Sequence, residues 1–191
     1  MSKRVIIVHG FGGYPEKNWF PWLKAELEKQ GITTIVPAMP NSAKPELKPW
    51  LATLKEAVGD LDDSTALVGH SIGGTTVMRF LESTNSGQHA RGVVLVAAAA
   101  QPLPVEELKV LDHFFEQPFG FAKIKDGANR VIAIYSTNDH RVPIISGHIV
   151  KKELADDYIE IPEGGHLNER SGYNQFPLVL EKILRLYDMS S

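Results

Sequence analysis

The sequence predicts an α/β fold built on a parallel sheet. Short runs rich in β-branched residues alternate along the chain with longer segments of helical periodicity, which is the pattern of consecutive βαβ units. The first run, residues 4–8, is apolar on both faces, as a strand inside a parallel sheet must be. The 191 residues suit one domain, residues 1–191, arranged as a three-layer α/β/α sandwich.

Composition narrows the classes of function. The formal net charge is −3 and the basic residues are scattered, so we expect no nucleic-acid partner. No stretch approaches the roughly 20 apolar residues that span a bilayer, so we expect no membrane association. The chain has no cysteine, which excludes disulfides, thiolate metal sites and a cysteine nucleophile, and which fits a cytoplasmic protein. We expect no cofactor and a monomer or weak dimer.

Helical segments separate the strands in the predicted order. The first helix, 18–30, has Asn18 as a candidate cap, Pro21 in its first turn and Gly31 after its end. The next covers residues 45–58, another starts at a Gly-rich turn near residue 71, and the last carries an apolar face from Phe176 to Tyr187. The strands between them are predicted at residues 4–8, 32–36, 65–69, 92–97, 130–136 and 158–161.

The connection between the fourth and fifth strands, residues 101–129, is too apolar for a solvated loop. It contains four phenylalanines among its leucines and valines. We expect it to hold one or two helices, which either pack on the sheet or form a small cover over the site.

The main chemical motif is Gly69-His70-Ser71-Ile72-Gly73. It follows an apolar strand run and precedes a helical pattern, which is the context that a nucleophile elbow requires. The glycines allow the strand and the helix to approach closely around a strained serine. We therefore predict Ser71 as a nucleophile at the carboxyl end of the sheet.

A serine nucleophile needs a base and an acid that orients the base. His166 lies just beyond the last predicted strand, where a loop can bring an imidazole back over the sheet edge. Among the other histidines, His9 and His70 are tied to the two Gly-rich turns, and those at positions 89, 113 and 148 lie in polar or helical stretches. Asp139 directly follows the fifth strand, so Ser71, Asp139 and His166 are the predicted catalytic residues.

The turn after the first strand, His9-Gly10-Phe11-Gly12-Gly13, can help to bind a developing oxyanion. One N–H group is expected from Ile72, the residue after the nucleophile, and the other from Phe11, with Gly12 as the alternative. Apolar substrate contacts are predicted at Phe11, Trp19 and Met39, although Trp19 has the spacing of a core residue.

A phosphate-binding site or a metal site fits the sequence less well than a serine nucleophile does. A phosphate loop at Gly69–Gly74 would need lysine where the chain has Thr75. A metal centre at Asp139, His140 and His166 lacks paired ligand spacing on one helix.

Together these motifs resemble the α/β-hydrolase superfamily, and more narrowly the compact serine hydrolases of the YdeN-like and retinoblastoma-binding type. The resemblance implies a minimal hydrolase fold with a six-stranded sheet of order 2-1-3-4-5-6. It also implies cleavage of a small carboxylic ester, or an amide, through an acyl-enzyme. The alternative is a hydrolase fold that serves as a non-enzymatic interaction module.

Overall fold

Six parallel strands form one sheet in the computed structural model, which describes residues 2–188; residues 1 and 189–191 of the predicted domain lie outside it. The strand order is β2-β1-β3-β4-β5-β6, which confirms the predicted topology. The strands are β1 Arg4–Val8, β2 Thr33–Ile35, β3 Thr65–His70, β4 Gly92–Val96, β5 Val131–Ser136 and β6 Asp157–Ile161.

The register places the carboxyl ends of the central strands side by side. Val8 of β1 pairs with Gly69 of β3, and His70 of β3 pairs with Val96 of β4. Ser136, the last residue of β5, pairs with Ile161. The loops that follow these strands therefore open along one edge of the sheet, where doubly wound sheets bind their ligands.

Helices cover both faces of the sheet, as the predicted three layers require. One layer contains α1 (Phe20–Lys29) and α6 (Pro177–Asp188). The opposite layer contains α2 (Leu47–Val58), α3 (Ile72–Glu82), α4 (Phe121–Asp126) and α5 (Ile144–Glu153). Alternate residues of β1 enter the two cores, Val5 and Ile7 on one side and Ile6 on the other. No helix within residues 2–188 is long and apolar enough to cross a membrane.

The start of α1 differs from the prediction. The helix begins at Phe20 after Trp19, and no side chain caps it. Asn18 instead has a left-handed backbone, with φ 56°, and its Oδ1 accepts a hydrogen bond from the N–H of Glu169 at 3.2 Å. The predicted cap is wrong because the Asn18 side chain is engaged by a loop 151 residues further along the chain.

The connection 101–129 folds as a 3₁₀ helix, Glu106–Phe115, followed by α4. Arg79 of α3, which is only 7% exposed, anchors this cover segment. Its guanidinium lies 3.9 Å from the centre of the Phe119 ring. It donates hydrogen bonds to the backbone carbonyls of Phe114, Gln117 and Pro118.

Candidate active site

The strand β3 turns sharply into α3 at Ser71. Ser71 has φ 57° and ψ −129°, an unfavourable conformation for a residue with a side chain, and such strain is concentrated at functional sites. Its N–H donates to the carbonyl of Val96 on the neighbouring strand at 2.9 Å. Bonding to that strand holds the turn in its strained form.

Glycine is required on both sides of Ser71. A Cβ atom on Gly73 would collide with the carbonyl oxygen of Val8, and one on Gly69 would collide with the backbone of Gly74. On the facing loop, a Cβ atom on Gly10 would lie 3.0 Å from the Cβ of Ser71. The motif therefore lets α3 and the loop after β1 approach the serine closely.

His166 and Asp139 form a buried pair. The Nδ1–H of His166 donates to Oδ2 of Asp139 at 2.7 Å, and the two side chains are only 6% and 1% exposed. The other carboxylate oxygen accepts from the backbone N–H groups of Arg141 and Val142 at 2.8 and 3.0 Å. These bonds orient the carboxylate, and the carboxylate in turn orients the imidazole.

The loops that carry this pair are tied to each other. Oδ1 of Asn138 accepts from the N–H of Gly165 at 2.7 Å and from the hydroxyl of Ser136 at 2.9 Å. The N–H of His166 donates to the hydroxyl of Ser171 at 3.2 Å. Sequence reasoning missed Asn138, although its position next to Asp139 was the available signal.

His70 holds the backbone of His166 from the side of the elbow. Its Nε2 lies 2.9 Å from the carbonyl oxygen of His166, and because a carbonyl only accepts, His70 carries its proton on Nε2. Burial, followed by the charge of His166, lowers the pKa of His70 to about 3, so the ring is neutral. The sequence linked His70 only to the turn; its contact with residue 166 depends on the folded sheet.

His9 plays a comparable part in the loop after β1. The N–H of Met39 donates to Nε2 of His9 at 3.1 Å, so the proton lies on Nδ1, which faces the carbonyl of Gly10 at 3.0 Å. Burial lowers the pKa of His9, which favours the neutral ring. Met39, predicted to contact substrate, is instead 4% exposed in the core and supports this histidine.

The N–H groups predicted to bind the oxyanion differ in whether they already have a hydrogen-bond acceptor. Ile72 is the first residue of α3, where an N–H group has no partner within the helix. Within residues 2–188 the N–H of Phe11 has no acceptor. The N–H of Gly12, however, donates to the carbonyl of Ser42 at 2.7 Å, so this alternative donor is wrong.

A cavity of about 210 Å³ opens at Ser71 and His166. Phe11 lines it as predicted, and Leu108 and Leu111 of the cover segment form another part of its wall. The predicted substrate contact Trp19 does not line it. Trp19 is fully buried, and its indole N–H donates to the carbonyl of Leu167 at 2.9 Å, so it supports the loop that carries His166.

A larger groove of about 630 Å³ lies between α2 and the cover segment. It is lined by Leu47, Leu51 and Val110 and does not include Ser71 or His166. Within residues 2–188, no group of three or more histidine, aspartate and glutamate side chains could hold a metal ion. The chemistry is therefore assigned to the smaller cavity.

Comparison with known proteins gives consistent results. The family model described as "Serine hydrolase" matches residues 5–185. The Bacillus subtilis (strain 168) protein YdeN is 34% identical over 181 residues, which cover 95% of this chain and 94% of YdeN. The crystal structure of the B. subtilis ydeN gene product superposes with a TM-score of 0.91 at 33% identity, over 98% of this chain and 100% of that one.

Two more distant similarities extend the comparison. The serine hydrolase RBBP9 of Rattus norvegicus is 24% identical over 184 residues, 95% of each chain. The structure of Est1E from Butyrivibrio proteoclasticus has a TM-score of 0.72 at 15% identity, covering 98% of this chain and 89% of that one, and so shares the fold.

Proposed function

Because the chain belongs to the serine hydrolase family, we propose that it hydrolyses a carboxylic ester of a small substrate with Ser71 as its nucleophile. The observation that carries this proposal is the buried His166–Asp139 hydrogen bond of 2.7 Å, beside a strained serine in the same cavity. An amide is the second candidate for the scissile bond.

In the proposed mechanism His166 acts as a general base. Its Nδ1–H is held by Asp139, which leaves Nε2 to accept the proton of the Ser71 hydroxyl. The serine oxygen then bonds to the substrate carbonyl carbon, and the carbonyl oxygen becomes an oxyanion. The N–H groups of Ile72 and Phe11 stabilise that charge.

The tetrahedral intermediate collapses when the ester C–O bond breaks. His166 gives its proton to the departing alcohol, and the acyl group stays on Ser71. A water molecule, deprotonated by His166, then attacks the acyl-enzyme; the product is a carboxylic acid, and the serine regains its proton. Asp139 keeps its hydrogen bond to Nδ1 and stabilises the imidazolium that forms at each step.

The size of the cavity supports a small substrate. At about 210 Å³ it is smaller than the roughly 300 Å³ at which pockets for drug-sized ligands begin. Phe11, Leu108 and Leu111 offer an apolar wall for a short acyl or alcohol group. The cytoplasmic location and the monomer or weak dimer expected from the sequence stay predictions.

Labelling with a fluorophosphonate probe tests the nucleophile. We expect the wild type to be labelled and to cleave short esters, and Ser71→Ala to lose labelling together with at least roughly 10⁴-fold of the ester activity. The exposed Ser86 supplies a matched control, since Ser86→Ala removes a hydroxyl away from the cavity. Labelling that survives in Ser71→Ala would overturn the assignment.

A second outcome would favour the alternative function. If the folded wild type is neither labelled nor able to cleave any ester or amide in the panel, the enzyme proposal fails. The interaction module predicted as the alternative would then gain support. Circular dichroism on the same sample establishes that the protein is folded.

A further inference from the structure

The cavity at Ser71 carries an excess of positive charge. Lys17, Arg141 and Arg170 line it; among the lining side chains of residues 2–188 Glu169 is the only carboxylate, and Asp139 is paired with His166. These side chains bring three positive charges against one negative, although the whole chain has a formal net charge of −3. The positive charge at this cavity is therefore a local property.

The three cations are not neutralised within the described part of the chain. None of them has a carboxylate oxygen within 4.0 Å among residues 2–188. The side chains of Arg141 and Arg170 have no hydrogen-bond acceptor there either. Lys17 reaches only the carbonyl of Gly12, at 3.4 Å, and lies over the ring of Tyr14.

The carboxylate of Glu169 already has a hydrogen-bond donor. Oε2 of Glu169 accepts from the backbone N–H of Asn18 at 3.3 Å. The backbone of Arg141 is held in place, because its N–H donates a hydrogen bond to Oδ1 of Asp139. Arg141 is half-buried at the cavity, and its guanidinium, which has no acceptor within residues 2–188, is suited to bind an anionic oxygen group.

We propose that the substrate of this site is a small ester that carries a negative charge, a carboxylate or a phosphate, in addition to the ester bond. This inference rests on the proposed ester hydrolysis and adds the charge of the substrate to it. Arg141, Arg170 and Lys17 bind the anionic group while Ser71 attacks the ester carbonyl. A cleft lined by charges of one sign focuses the electric field and so attracts a ligand of the opposite charge.

The test compares esters that differ only in charge. Acetoxyacetate has its carboxylate on the alcohol side, and isobutyl acetate is its neutral isostere. Monomethyl succinate and methyl 4-methylpentanoate form the corresponding pair for the acyl side. The phosphate ester 2-acetoxyethyl phosphate separates the two anionic groups, and acetylcholine supplies a cation.

We expect the anionic member of at least one pair to have a kcat/KM roughly 10- to 100-fold above its neutral isostere, the range for hydrogen bonds to charged groups. Most of the difference should appear in KM, because the anionic group binds away from the reacting atoms. The ratio should fall as salt is added, since the cavity is open to solvent.

Charge-removing variants locate the effect. Arg141→Gln, Arg170→Gln and Lys17→Gln should each lower the ratio of anionic to neutral kcat/KM several-fold. Arg185→Gln is the matched control, because Arg185 is exposed and pairs with Glu181 away from the cavity. A fall of the ratio in Arg185→Gln equal to that in Arg141→Gln would assign the effect to net charge and overturn the proposal.

The outcomes distinguish this inference from the proposed function. Neutral esters cleaved by the wild type as fast as their anionic partners, or acetylcholine preferred, would overturn the anionic substrate and leave ester hydrolysis standing. No cleavage of any ester would overturn both. A preference for anionic esters that is retained in all three cavity variants would also overturn the inference.

Discussion

The catalytic edge of the sheet and the cover segment 101–129 are held by different kinds of contact. At the edge, short loops are joined to strand ends and to each other by hydrogen bonds, such as Asn138 Oδ1 to the N–H of Gly165 and His70 to the His166 carbonyl. The cover segment is joined to the body mainly through apolar packing, the buried side chain of Arg79 and Glu82, which accepts a hydrogen bond from the N–H of Gly120. The cover segment contributes Leu108 and Leu111 to the cavity wall, and we expect this part of the wall to be able to shift while Ser71, Asp139 and His166 keep their positions.

The Asp139–His166 pair is where a single substitution should have the greatest effect. Asn in place of Asp139 can still accept from Arg141 and Val142, but its NH₂ group would face Nδ1 of His166 and favour the wrong tautomer. We expect Asp139→Asn to lower kcat for ester cleavage by roughly 10⁴-fold with little change in stability. Stopped-flow or initial-rate assays and thermal unfolding measure the two quantities.

Asp157→Asn serves as the control for that variant. Asp157 begins β6 at the opposite edge of the sheet, where it pairs with Lys182. Its loss should change kcat by less than about twofold, since neither Asp157 nor Lys182 lines the cavity at Ser71. Equal losses in the two variants would contradict the role given to Asp139.

A second, smaller effect concerns the cover segment. Arg79→Met keeps the length of the side chain but leaves three backbone carbonyls without their donor. We expect the free energy of unfolding to fall by about 3 kcal/mol and proteolysis to begin within residues 106–120. Urea unfolding and mass spectrometry of limited digests measure both.

Arg79→Met should also affect the cavity. We expect it to raise KM more than it lowers kcat, because Leu108 and Leu111 shift while Ser71, Asp139 and His166 stay in place. Arg185→Met is the exposed control and should change neither. A fall in kcat in Arg79→Met as large as in Asp139→Asn would show that the two regions are not separate.

The smallest effect that we expect is a change in the pH dependence of stability. Burial lowers the pKa of His70 to about 3, whereas in an unfolded chain histidine titrates near 6.5. Below pH 6.5 the unfolded state binds a proton that the folded state does not, so the folded protein loses stability as pH falls. His70 accounts for up to about 1.4 kcal/mol per pH unit of that loss.

Glutamine in place of His70 can keep a donor to the His166 carbonyl without titrating. Between pH 7 and 5 we expect the unfolding free energy of wild type to fall by about 2 kcal/mol more than that of His70→Gln. His148→Gln, at a histidine whose side chain is 50% exposed, should follow the wild type. Parallel curves for His70→Gln and wild type would contradict a neutral, buried His70.

The topology and the positions of the candidate catalytic residues could be predicted because both depend on order along the chain. Each loop after a strand opens at the same edge, so motif position alone places Ser71, Asp139 and His166 near one another. Their roles as nucleophile, acid and base stay predictions until the variants above are measured.

The predictions that failed depend on where side chains and N–H groups find partners far away in sequence. Asn18 pairs with Glu169, Trp19 bonds to Leu167, and the N–H of Gly12 bonds to Ser42. The form of the cover segment likewise depends on Arg79, whose partners begin 35 residues later. The helical pattern around Arg79 predicts the helix but does not indicate which backbone carbonyls the guanidinium binds.

The bond from His70 to the His166 carbonyl has a consequence for protein engineering. His70, the residue directly before the candidate nucleophile Ser71, holds the backbone of the candidate base His166, so the positions of the two candidate residues are coupled through this bond. A designer who exchanges the loop after β6 for one from another scaffold must preserve that carbonyl or redesign position 70 with it. Within residues 2–188 the cover segment makes no hydrogen bond to His70 or His166, so residues 101–129 can be exchanged to reshape selectivity, provided that the new loop supplies carbonyl acceptors for the buried Arg79.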